Sequence, residues 1–122
     1  MALLDHRNVE KSGKPHMVQG VASTSNYRVI RLPPRPVRVN IGPALAADGL
    51  SASGTLRITT GKAGTLVDNT ALPAVADDAN RWFVGENGSV SFVVTGEVGD
   101  LGINHSIASG YTQISYEPAV GS

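Results

Sequence analysis

RWFVGENGSVSFVVT, residues 81–95, is the stretch on which the reading of the fold turns. Two apolar runs, Trp82-Phe83-Val84 and Val90-Ser91-Phe92-Val93-Val94, flank Glu86-Asn87-Gly88-Ser89. Asn and Gly tolerate positive φ at adjacent positions, which a two-residue type I′ turn requires. Val90, Phe92 and Val94 recur at every second position, as do Trp82 and Val84, so each run offers one face to a core. The stretch predicts a β-hairpin at the heart of a sheet-built body, with Trp82 buried in it.

The same period of two recurs upstream. Val37, Val39 and Ile41 alternate with Arg38 and Asn40, and Leu56 and Ile58 flank Arg57 within 55–60. Residues 27–32 (YRVIRL) are rich in strand formers on both faces, and 17–22 (MVQGVA) make a shorter, weaker run. Residues 62–68 are expected to fold back on 55–60 across Gly61. Residues 111–117 (YTQISYE) form a closing strand stopped by Pro118, and 96–110, with four glycines, read as a long loop. Only 71–80, with Pro73 near its start, suggest a helical turn, too short to stand alone. Fourteen glycines and seven prolines punctuate the chain, and 16% of residues are charged, a composition that favours strands and turns over helices.

At 122 residues, 41% of them apolar, the chain can bury one core but not two. The expected fold is therefore all-β: a single-domain β-sandwich or small β-barrel over residues 17–122. Residues 1–16 (MALLDHRNVEKSGKPH) show neither alternation nor a helical stripe and are interrupted by Gly13 and Pro15. They are expected to form an extended N-terminal arm.

The net charge of zero conceals a division. Residues 1–62 hold nine of the ten Lys and Arg against Asp5, Glu10 and Asp48, whereas 63–122 hold Arg81 against seven acids. Folding either preserves two poles, suited to contacts between subunits, or interleaves them. The basic residues most open to a partner are Arg7, Lys11 and Lys14 in the arm and the stripe Arg28, Arg31, Arg35 and Arg38. A neighbouring acidic surface suits the stripe better than nucleic acid, because only Tyr27 lies close enough to stack on bases. The stretch 33–38 (PPRPVR) has the spacing that polyproline-binding domains read, yet it is better taken as a stiff connector between two strands.

Chemistry-bearing patterns are sparse. There is no cysteine, which excludes disulfides and thiolate metal sites, and no histidine pair or acid-rich loop has metal-ligand spacing, so neither a metal nor a cofactor is expected. His105, Ser106 and Asp100 make a triad only as letters, since sequence neighbours seldom orient one another as nucleophile and base must. Gly61-Lys62-Ala63-Gly64-Thr65 lacks the spacing of a phosphate-binding loop. A short echo, Ala52-Ser53-Gly54 against Ala108-Ser109-Gly110, repeats 56 residues later and is better explained by chance than by duplication, since Ala, Ser and Gly are abundant here. No stretch approaches the ~20 apolar residues that cross a bilayer, and Asp5-His6-Arg7 interrupts any secretory leader. The chain is read as a protein that acts by contact and not as an enzyme.

With its arm over 1–16, a glycine- and threonine-rich β body over about 17–117, no cysteine and no catalytic cluster, the chain resembles the small capsid-decoration proteins of tailed bacteriophages. That resemblance implies a homo-oligomeric virion component, assembled in the host cytoplasm, whose partners are copies of itself and a major capsid or other virion protein. It implies no functional residues. The alternative is a carbohydrate-binding or adhesin-type β-sandwich in which Trp82, Tyr111 and Tyr116 form a stacking face.

Overall fold

A computed structural model describes residues 4–5, 16–34, 36–51, 54–71, 81–95 and 97–119. They form ten strands and no helix: β1 (Leu4–Asp5), β2 (His16–Gln19), β3 (Asn26–Arg31), β4 (Val37–Leu45), β5 (Leu56–Gly61), β6 (Thr70–Ala71), β7 (Trp82–Val84), β8 (Val90–Val94), β9 (Asp100–His105) and β10 (Tyr111–Pro118).

Their pairing is nested. β2 pairs with β10, β3 with β9, β4 with β8 and β5 with β7, all antiparallel, so the chain forms one long ribbon doubled back on itself between β5 and β7. The ribbon is rolled, and successive rungs fall alternately into two sheets. One has the order β2-β10-β4-β8; the other has the order β1-β3-β9-β5-β7, with β6 also on β3. Additional pairing of β10 with β4 and of β9 with β5 closes each sheet. Two sheets wired from a rolled double ribbon constitute a jelly roll, a form of β-sandwich. Of the two architectures expected, the sandwich is the one formed.

The core follows from the period of two. Val37, Val39 and Ile41 of β4, Leu56 and Ile58 of β5, Leu101 and Ile103 of β9, and Ile114 of β10 are buried in one cluster between the sheets. Each such side chain contributes roughly 1.5–3 kcal/mol when fully removed from water. Tyr27 and Val29 are also buried, on the outside of the second sheet. The excursion between β5 and β6 is fastened to that sheet by two carboxylates. Asp68 accepts the Val29 N–H (2.8 Å) and pairs with Arg28 (2.7 Å), and Asp100 accepts the Leu66 N–H (3.0 Å) and pairs with Arg31 (2.7 Å).

Three expectations are corrected. β7 and β8 do not form a hairpin; they belong to different sheets and pair with β5 and β4. Asn87 does take a positive φ of 59°, but Gly88 does not, so the two-position requirement of a type I′ turn is unmet and the turn sends the chain across the sandwich. Residues 62–68 form no strand against β5; the Leu66 N–H is given to the Asp100 carboxylate of β9, and the Asp68 carboxylate takes the Val29 N–H of β3. The glycine-rich 96–110 contains β9, whose six residues are all buried. Its polar side chains read as loop formers but are satisfied internally: Asn104 donates to the carbonyls of Thr24 and Asn26 (2.8 and 2.7 Å). Gly102 is needed there, since a Cβ would stand 2.7 Å from the Tyr27 ring. Of the helical turn expected at 71–80, Ala71 instead ends β6, and residues 72–80, like most of the arm, lie outside the described residues.

Nesting mixes the two charge halves among the described residues. Each strand from 16 to 61 lies beside one from 90 to 118 or beside β7, and the pairs Arg28–Asp68, Arg31–Asp100 and Arg38–Glu117 all join one half of the sequence to the other.

Candidate functional site

The two flanks of the sandwich differ. On one, the outer edge of β3 is covered along its length: β6 pairs with Asn26 and Tyr27, Asp68 takes the Val29 N–H, and β1 pairs in parallel with Ile30 and Arg31. Covered edges cannot recruit another strand. On the other flank, β7 and β8 end their respective sheets, and among the described residues neither has a partner on its outer side. The two strands are joined across the gap between sheets by Trp82 and Phe92, whose rings stack with centroids 4.2 Å apart and planes 8° from parallel. Because Trp82 and Phe92 turn toward the gap, the alternating Phe83 and Val93 face outward from their two sheets. Phe83 is 63% exposed, Val93 49% and Trp82 37%. Trp82 is therefore half-open at a rim, where the sequence suggested burial. Arg57 lies over the Phe83 ring at 6.0 Å, leaving one cation beside the aromatic face.

The basic residues singled out from the sequence do not form one stripe. Arg28 is buried, its guanidinium committed to Asp68 and to the carbonyl of Gln19 (3.1 Å). Arg31 is half-buried against Asp100. Arg38 is exposed on the opposite sheet, where it meets Glu117 at 3.7 Å and donates to Ser91 at 3.2 Å. Arg7, Lys11, Lys14 and Arg35 lie outside the described residues. Pro33 is buried and the segment runs from one sheet to the other, which is the connector expected. Trp82, Tyr111 and Tyr116 share no face. Trp82 stacks on Phe92, Tyr116 packs against the core, and Tyr111 begins β10 beside Gly49.

His105, Ser106 and Asp100 are not assembled for catalysis. The Ile107 N–H donates to His105 Nδ1 (3.0 Å), so the ring proton sits on Nε2 and is given to the Tyr111 carbonyl (3.0 Å). Ser106 Oγ accepts the Thr55 N–H (2.8 Å), and Asp100 lies at the far end of β9 with Arg31. Burial holds the imidazole below the usual histidine range, against the smaller opposing pull of the Tyr111 and Leu45 carbonyls. The ring fits because its neighbours are glycines: a Cβ at Gly54 would stand 2.8 Å from Cε1, and one at Gly110 2.7 Å from Nε2. Gly54 and Gly110 end the two echoed tripeptides, and both lie against this ring. Among the described residues no His, Asp or Glu cluster has the grouping to hold a metal ion.

Compared with protein-family models, with curated proteins and with solved structures, the chain matches none.

Proposed function

We propose that this protein is a structural component of a virion, of the small capsid-decoration kind, acting through contacts with copies of itself and with a larger shell protein. The reading rests on the open flank. Two open strand edges lie side by side there, with Trp82 part-exposed between them and Phe83 and Val93 exposed on the outer faces of the two strands, and such edges suit strand addition. The wiring adds support, because double-sheet jelly rolls are a common architecture of viral capsid domains. In this account the open flank joins subunits, the basic arm over 1–16 reaches a neighbour, and no covalent chemistry takes place.

Purification from the native source tests it, with the mass of the assembly measured and co-purifying chains identified. The expected result is an oligomer accompanied by a shell protein, and a chain beginning at Met17 is expected to incorporate poorly. A solitary monomer that turns over a substrate would overturn the proposal.

A further inference from the structure

The outer face of the β2-β10-β4-β8 sheet carries a cleft of about 250 Å³ that reaches from the β10·β4 ladder to β8. It lies where the β10·β4 ladder is interrupted. Thr112 faces Ala44 and Ile114 faces Ile41, so Gln113 alone spans Gly42 and Pro43. A bulge of this kind re-aims side chains and opens the sheet surface. The polar part of its wall comes from Asn40, Ser89, Ser91, Gln113 and Ser115, and Ile41, Gly42, Val90 and Ile114 complete it. Every side chain among them that can hydrogen-bond is an uncharged amide or hydroxyl.

Three of these groups are already oriented. Arg38 donates to Ser91 Oγ (3.2 Å), Ser91 Oγ donates to Asn40 Oδ1 (2.8 Å), and Asn40 Nδ2 donates to Ser115 Oγ (3.3 Å). The chain runs in one direction from a cation, so each donor polarises the next, and it ends on a Ser115 hydroxyl whose hydrogen is uncommitted among the described residues. Gln113 beside it has no side-chain partner among the described residues, and its amide offers both a carbonyl acceptor and an NH2 donor. A fork of that kind next to a hydroxyl donor matches adjacent hydroxyl groups, each of which both donates and accepts.

We propose that this cleft binds one ring of a neutral carbohydrate, with Gln113 and Ser115 as the recognising groups and Asn40, Ser91 and Arg38 holding Ser115 in place. A charged ligand finds no counter-ion inside the cleft. Gln113 and Ser115 lie on β10, which is paired on both sides, so a peptide adding to the outer edge of β8 would make its main-chain bonds away from them. No aromatic platform lies in the cleft, so affinity for a single ring is expected to be on the order of millimolar. Its recognising groups lie on β10 inside the sheet, whereas Ser89 and Ser91 lie on the edge strand β8, and display in many copies would multiply its avidity.

The test is a nitrogen-edited NMR titration of the whole chain with the methyl glycosides of glucose, galactose, mannose and N-acetylglucosamine, and with a neutral capped dipeptide. Saturable shifts are expected at the Gln113 side-chain amide and the backbone of Ser89, Ser91 and Ser115 for at least one sugar. Gln113→Ala is expected to weaken that binding about tenfold while leaving the rest of the spectrum in place. Asn40→Ala, which releases Ser115, is expected to weaken it less. Absence of saturable shifts with every sugar overturns the proposal. So do shifts that persist unchanged in Gln113→Ala, and so does a response to the dipeptide alone.

Discussion

The β3 flank and the β7/β8 flank are edges of one sandwich, and they are finished in opposite ways. At β3 the chain spends its own residues: two short strands, a carboxylate on a backbone N–H, and the buried or half-buried pairs Arg28–Asp68 and Arg31–Asp100. At β7/β8 it places one aromatic stack across the sheets and leaves strand edges and apolar side chains facing outward. The first arrangement stabilises a single chain. The second stabilises a single chain only weakly and gains most when another surface covers it. Stability and association are therefore expected to map to different flanks, and substitutions can separate them.

The largest effect on folding is expected at Asp100. Asp100→Ala leaves the Leu66 N–H without its acceptor and Arg31 without its counter-ion, and should cost about 2–4 kcal/mol in denaturant unfolding, the half-exposed arginine keeping it below a fully buried pair. The oligomeric mass should be unaltered. A loss under about 0.5 kcal/mol would show that the β3 flank does not depend on its carboxylates. On the other flank, Trp82→Ala removes the stack on Phe92 and part of its buried area, for an expected cost of about 1–3 kcal/mol.

The joint between the sheets gives a pH signature. His105 has a folded-state pKa lowered chiefly by desolvation, so its contribution is fully present above the ordinary histidine range. As pH falls through about 6.5 the unfolded chain takes up the proton first. Stability then declines until the folded-state value is passed, where Nδ1 can no longer accept the Ile107 N–H. Unfolding free energies measured from pH 7.5 downward should fall in that window, and His105→Gln should flatten the decline at the expense of stability at neutral pH. An unchanged slope in the variant would place the acid sensitivity elsewhere.

Much of the body was legible from residues alone. The start of β4 and all of β5 follow from alternation, because Val37, Val39, Ile41, Leu56 and Ile58 face the core, while β3 and β10 follow from strand-forming residue types bounded by turn formers. β9 was hidden since Asp100, Asn104, His105 and Gly102 are turn formers by type. Their burial depends on partners 34 to 80 residues away or on a ring packed over a missing Cβ. The Asn-Gly signal at 87–88 correctly marked a turn, yet a local signal carries no information on which sheet receives the next strand. The cleft was equally hidden, since Asn40, Ser91 and Ser115 belong to three strands and meet only through pairing of β4 with β8 and β10.

The smallest expected change in folding accompanies the largest expected change in association, at Phe83. Its ring is mostly exposed, so Phe83→Asp should alter unfolding by no more than about 0.5 kcal/mol. Sedimentation equilibrium of the intact chain and of Phe83→Asp over a range of concentrations tests the central claim that the open flank is a contact surface. The account predicts a wild-type oligomer and a Phe83→Asp monomer of 12.7 kDa, equally folded. A wild-type chain that remains monomeric at the highest concentration, or an oligomer that Phe83→Asp leaves intact, would contradict it.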